Sequence, residues 1–221
     1  MFGQVGLLAN DIGQFRGPFG STNYWELPNR GYEWDTGISL GPYRTGPEHK
    51  ITPIGQLIQN YKYGGLALAL RDNLASKITE IALLALWERF ESPPFTFLIA
   101  VPPNQLGKPA LPGALCKKIA AKYPDRFTDV SNAVVRLRSL DSVKGVYKGS
   151  RADYLRRAWA IDLELFPPPE KGSGLLIVDD VYDTGATMRE MSRTIRAAFS
   201  RDVNQFVLTA SHVETRDWNQ A

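Results

Sequence analysis

The chain has 221 residues, enough for one substantial α/β domain with an extension, and its 43% hydrophobic and 22% charged residues exclude a disordered chain. Its apolar runs, 97–101 and 81–87 among them, fall far short of the ~20 residues that cross a bilayer, and the single cysteine, Cys116, excludes an internal disulfide and a cysteine-rich zinc module. The net charge of +3 is too small to name a partner, although Arg136, Arg138, Lys144, Lys148, Arg151, Arg156 and Arg157 gather against only Asp141 and Asp153, a segment suited to an anion or to plain solvation.

Residues 1–50 are rich in Gly, Pro, Asn and aromatics, with Tyr24, Trp25, Tyr32, Trp34 and Tyr43 spread among turn formers; an irregular arm or short strands, held down by those rings, is expected. Residues 1–10 show no basic segment followed by an apolar one, so no secretory signal is expected and the cytoplasm is the expected location. From Thr52 the pattern turns helical. Leu66, Leu70, Leu74, Ile78, Ile81 and Ala85 recur every three or four residues, which predicts a long amphipathic helix, and Gly64-Gly65 separate it from a shorter one before. Glu91-Ser92-Pro93-Pro94 ends this leading helical region, 52–90, because proline cannot continue a helix.

Beyond it, strand and helix alternate: a buried strand over 95–101, a helix over 111–122, short strands over 132–137 and 157–162 on either side of the basic segment, and the strongest strand over 175–181. Met188, Met191, Ile195 and Phe199 then mark one face of a helix, and 205–210 supplies a last strand. This order predicts an α/β domain over 51–221 with a parallel sheet and helices on both faces. Cys116, Met188 and Met191 suit packing; His49 and His212, far apart and without ligand spacing around them, predict no structural metal.

The chemistry-bearing segment is Leu175-Leu176-Ile177-Val178-Asp179-Asp180-Val181-Tyr182-Asp183-Thr184-Gly185-Ala186-Thr187-Met188. Ligands of parallel sheets bind beyond the carboxyl ends of the strands, where Asp179 and Asp180 would stand. Gly185 permits close backbone approach, the free N–H groups of the following helix suit a phosphate, and the hydroxyls of Thr184 and Thr187 add donors. Carboxylates repel an anion, so their use lies in accepting hydrogen bonds from sugar hydroxyls or in holding Mg²⁺. A ribose phosphate satisfies both demands. A bare strand-to-helix turn is the competing reading, with Thr187 and Glu190 as a capping box, but such a turn does not call for three aspartates within five positions. Asp183-Thr184-Gly185-Ala186 also matches the short signature of retroviral-type aspartic proteases; those are all-β, whereas a helix follows the glycine here.

The run Val178-Asp179-Asp180-Val181-Tyr182-Asp183-Thr184-Gly185-Ala186-Thr187 resembles the substrate signature of type I phosphoribosyltransferases. That resemblance implies a Rossmann-like phosphoribosyltransferase core. Asp179 and Asp180 would bind the ribose hydroxyls, with their Mg²⁺, of 5-phosphoribosyl 1-pyrophosphate (PRPP), and Asp183, Thr184, Gly185, Ala186 and Thr187 its 5′-phosphate. An aspartate at position 183 is similar to the purine-specific members and implies a general base on an incoming purine; the same side chain serves equally well as a cap of the loop.

A wider match over 55–213 resembles the ComF-like branch. It rests on Tyr61-Lys62-Tyr63-Gly64-Gly65 before a long helix, on the strand ending Val101-Pro102-Pro103, and on the span from Arg136-Leu137-Arg138 to Ala158-Trp159. It implies a pyrophosphate loop of Pro103, Asn104, Gln105, Gly107 and Lys108, and a mobile basic loop with Lys144, Lys148 and Arg151 that closes over the substrates. The chain departs from that branch in lacking an amino-terminal cysteine zinc module and an Arg-Gly-x-Asn-Gln element; Lys108-Pro109-Ala110-Leu111-Pro112-Gly113 stands in place of the latter.

Two functions follow. The first is transfer of ribose 5-phosphate from Mg²⁺-bound PRPP to a nitrogen nucleophile, with Lys108, Lys144 or Lys148 beside the departing pyrophosphate and residues 1–50 as a hood over the acceptor. The second is a non-catalytic PRPP- or nucleotide-binding regulatory protein, linked to DNA uptake. No nucleic-acid motif of specific spacing is present, no membrane partner is expected, and a homodimer is the assembly the resemblance implies.

Overall fold

The computed structural model describes residues 24–28, 34–103, 110–137, 150–167, 169–170, 172–199 and 203–214. Among the described residues, six of ten short to medium strands make one sheet: β1 (Trp25–Glu26), β2 (Thr36–Ser39), β5 (Phe97–Ala100), β6 (Thr128–Asp129), β9 (Gly174–Tyr182) and β10 (Asn204–His212). The remaining strands form two antiparallel ribbons, β3 (Arg44–Thr45) with β4 (Lys50–Ile51) and β7 (Val134–Arg136) with β8 (Trp159–Ile161). Strand order in the sheet is β1-β2-β10-β9-β5-β6, parallel throughout except at β1, which runs antiparallel to β2. The protein is therefore an α/β fold on a mixed, mostly parallel sheet.

Side chains along a strand alternate between faces, and the two core layers follow that alternation. Leu176 and Val178 of β9, Leu98 of β5 and Phe206 and Leu208 of β10 pack on one side, under α1 (Pro53–Tyr63), α2 (Leu68–Phe90) and α3 (Leu111–Lys122). Leu175, Ile177, Ile99 and Val207 face the other side, against α4 (Arg151–Leu155), α5 (Ala186–Phe199) and Trp159 of β8. Both faces of β9 are thus dry, which is why its sequence is an unbroken apolar run.

Helix α1 is fixed at its start by Thr52, whose hydroxyl accepts the Gly55 N–H at 3.0 Å, and by Pro53 at a first-turn position where no N–H is needed. Gly55 lies so close under the Tyr43 carbonyl that a Cβ there would sit 2.1 Å from its oxygen. Helix α2 begins at Leu68 rather than Leu66, and its first turn stands clear of the body: Leu70, expected on the buried stripe, is exposed, and burial starts at Ala75.

Of the two forms expected for the arm, short strands are found: Trp25–Glu26 and Thr36–Ser39 belong to the main sheet, because β10 has an open edge that β2 fills in parallel register, locked by paired bonds of 2.7 Å between Asp35 N and Gln205 O and between Gln205 N and Asp35 Oδ2. One expectation changes with the structure. The short strands expected over 132–137 and 157–162 pair with each other as the β7–β8 ribbon instead of joining the parallel sheet. Among the described residues no helix is long and apolar enough to cross a membrane.

Candidate active site

Strand β9 delivers Asp179 and Asp180 at the carboxyl end of the sheet, held between β5, just past which Val101 N–H donates to Val178 O at 2.9 Å, and β10, whose Ser211 hydroxyl donates to Asp180 O at 3.3 Å. The chain then turns through Asp183-Thr184-Gly185 into α5. Gly185 has φ +74, a left-handed conformation that favours glycine, and its Cα faces the Tyr182 ring so closely that a Cβ would lie 2.7 Å from Oη. Tyr182 is itself buried, with Trp34 edge-on at 6.5 Å between ring centres.

Helix α5 starts at Ala186, so Thr187 lies inside the first turn, and the Thr187–Glu190 capping box is not what holds it. Glu190 is buried and its carboxylate turns away from the loop, accepting Arg157 N–H at 2.5 Å and meeting Arg193 Nη1 at 3.3 Å. Thr184 Oγ1 accepts Ala186 N–H at 3.4 Å. Asp183 to Met188, the turn and the first residues of α5, line the cleft, and a helix start is a setting that can receive an anion.

The three carboxylates have distinct environments. Asp179 is buried, and burial first, then the neighbouring Asp180 charge, pushes its carboxyl up to about 8, against the lowering effects of the Asp180 N–H that it accepts at 2.8 Å and of Lys62. Asp180 is a quarter exposed and pairs with Lys62 Nζ of α1 at 2.5 Å. Asp183 pairs with Arg151 Nη1 of α4, also at 2.5 Å. Burial thus favours the protonated form of Asp179, and each of the other two carboxylates is matched by a cation reaching in from a different helix.

These groups share one cleft of about 750 Å³. It brings together Asp179, Asp180, Asp183, Thr184, Gly185, Ala186 and Thr187 with Pro103 and Arg151, all of them anticipated from sequence. Asn104 and Lys108 of the expected pyrophosphate loop and Lys144 and Lys148 of the expected basic loop lie outside the described residues. The cleft also contains Lys62, Tyr63, Tyr43 and Arg44, which sequence reasoning did not assign to a site. For Lys62 and Tyr63 a signal existed in the Tyr-Lys-Tyr-Gly-Gly run, but nothing in that run tells which way Lys62 points.

Chemically, the cleft offers acceptors for a pair of adjacent hydroxyls beside backbone donors for a phosphate. Among the described residues no group of three or more His, Cys, Asp and Glu could cage a metal ion. His212 is away from this chemistry: it is buried, its Nδ1 lies 3.0 Å from Ser39 Oγ, its ring meets Trp25 at 5.2 Å, and burial lowers its pKa to about 4. Cys116 is buried, which pushes its thiol up and leaves it a packing residue. Comparison of the sequence with protein-family models gives no match, and comparison with curated proteins gives none either.

Proposed function

We propose that this chain is a phosphoribosyltransferase of the cytoplasm, with a phosphoribosyltransferase-type core, which moves ribose 5-phosphate from PRPP to a nitrogen nucleophile. The observation that carries the reading is the joining, within one cleft, of the Asp179–Asp180 pair at a strand end and the Gly185 turn at the start of α5. A ribose phosphate presents a diol and a dianion at a fixed separation, and this arrangement offers acceptors and donors in that order along a rigid strand and helix.

Asp179 and Asp180 take the ribose hydroxyls, and Asp183 to Thr187 take the 5′-phosphate. A divalent ion arriving on the substrate would displace the proton that burial favours on Asp179, since Mg²⁺ keeps several waters and is commonly held by one or two carboxylates and substrate phosphates. Bound in that way, Mg²⁺ supplies charge neutralisation at the pyrophosphate. Asp183, paired with Arg151 at the cleft, is placed to accept a hydrogen bond from the N–H of the entering nucleophile.

The test is a calorimetric titration of Mg²⁺-PRPP into the wild-type protein and Asp180→Asn. Loss of a charge-assisted contact is expected to weaken binding about 10- to 100-fold. Equal affinity of the two proteins would refute the assignment of the diol to Asp180. Tight binding with no pyrophosphate release for any nucleobase would point instead to the non-catalytic regulatory function.

A further inference from the structure

We propose that Lys62 is the cation that neutralises the departing pyrophosphate, passing to it from Asp180 when the ribose diol binds; this rests on the phosphoribosyltransferase reading above. Three cationic side chains line the described part of the cleft: Arg44, Lys62 and Arg151. Arg44 is exposed and donates to the His49 carbonyl at 3.1 Å, and Arg151 is held on Asp183 at the turn that receives the 5′-phosphate. Lys62 alone is held on a carboxylate of the diol pair, with its side chain 23% exposed and so neither sealed off nor loose in solvent.

The stereochemistry of the substrate gives that position its meaning. In the α-anomer of PRPP the C2 hydroxyl and the C1–O bond to pyrophosphate lie on the same face of the ring and on adjacent carbons. A cation in contact with the carboxylate that takes the diol is therefore within a side-chain rotation of the pyrophosphate oxygens. Lysine suits such a transfer, being a compact charge with three donors on a flexible stem. The backbone does not need to move: Ile54, Leu57, Ile58 and Tyr61 of α1 are buried, so the stem of Lys62 starts from a fixed point.

The exchange leaves Asp180 satisfied, because hydroxyl donors of the ribose replace the ammonium that leaves it. In the chemical step the C1–O bond breaks with its electron pair passing to pyrophosphate, and the nitrogen lone pair forms the C1–N bond. Lys62 transfers no proton in this step and acts by charge, while the proton of the nucleophile leaves to Asp183 or to water.

Ribose 5-phosphate has the diol and the phosphate but no pyrophosphate, and so separates this role from a structural one. Both PRPP and ribose 5-phosphate would be titrated into the wild type, Lys62→Met and Lys62→Arg, each checked for an unchanged melting profile. Lys62→Met is expected to weaken PRPP by about tenfold or more, and ribose 5-phosphate by no more than about fivefold, the ordinary effect of losing a partly exposed ion pair. Lys62→Arg, which keeps the charge, is expected to recover most of the PRPP affinity. Equal weakening of both ligands would show that Lys62 merely holds Asp180 in place, and no weakening of either would remove it from the site; both overturn the inference while leaving the site reading intact. A wild-type protein that binds neither ligand would overturn the site reading and this inference together.

Discussion

Substitution of Gly185 by alanine tests the turn that gives the cleft its shape, without reference to any ligand. An alanine at φ +74 bears the left-handed penalty of roughly 1–2 kcal/mol. Its Cβ would stand 2.7 Å from Tyr182 Oη, 3.1 Å from Cζ and 3.2 Å from Cε2, so the edge of the ring has to move, not just its hydroxyl. That ring is 6% exposed and packed on Trp34, and overfilling a packed site costs about 1–3 kcal/mol more. Gly46 is the control, since its φ of +71 is nearly the same and no atom lies within 4 Å of its would-be Cβ. For a chain of this length each kcal/mol shifts the melting temperature by about 2–4 °C, so Gly185→Ala is expected to melt about 10 °C below wild type and Gly46→Ala about 4 °C below. Circular-dichroism melting curves of the three proteins decide the matter. Equal shifts would refute the close approach of Gly185 to Tyr182 and, with it, the geometry described for the loop.

Two further predictions concern pH and have opposite signs. Asp179, raised by burial to about 8, binds its proton more tightly folded than unfolded, so its contribution to stability is full below the unfolded value of about 4 and is lost as pH rises through 8. Asp179→Asn is expected to flatten that decline in urea midpoints taken between pH 4 and 8; an unchanged slope would show that the carboxyl is solvated. His212, lowered by burial to about 4, favours the neutral ring when folded, so its contribution is present above about 6.5 and is lost as pH falls towards 4. His212→Gln is expected to lessen the acid-side loss, and a wild-type-like acid limb in that variant would mean that other groups cause it.

The strands and helices that frame the cleft were readable because their signals are local. The 175–181 run became β9 from Gly174 to Tyr182, 205–210 became β10 from Asn204 to His212, and the helix expected over 111–122 is α3 from Leu111 to Lys122. Each is an apolar run or stripe bounded by Gly, Pro or charge, and needs no distant partner to be recognised. Strand β2 is different. Thr36-Gly37-Ile38-Ser39 is too short to show a period, and what makes it a strand is the free edge of β10, some 170 residues further on, to which Asp35 is tied through Gln205. The same holds for the β7–β8 ribbon, whose segments read as strands while their partner in pairing did not.

The site divides along the same line. Asp179, Asp180, Asp183 and Gly185 of the candidate site were legible because they stand within one short segment, whereas Lys62 meets Asp180 only when α1 packs on the sheet. Arg151 was expected in a basic loop over the substrates, but its pairing with Asp183 was not readable, because it depends on α4 packing against the other face. The charge balance of the cleft is thereby divided between the two layers of the molecule: a cation from the α1 side matches Asp180, a cation from the α4 side matches Asp183, and burial favours the protonated form of Asp179. On the phosphoribosyltransferase reading proposed above, receiving a phosphate would draw on both helical layers around one strand end, and residues 174–199 cut out of the fold would keep the motif but lose the Lys62 and Arg151 partners of its carboxylates.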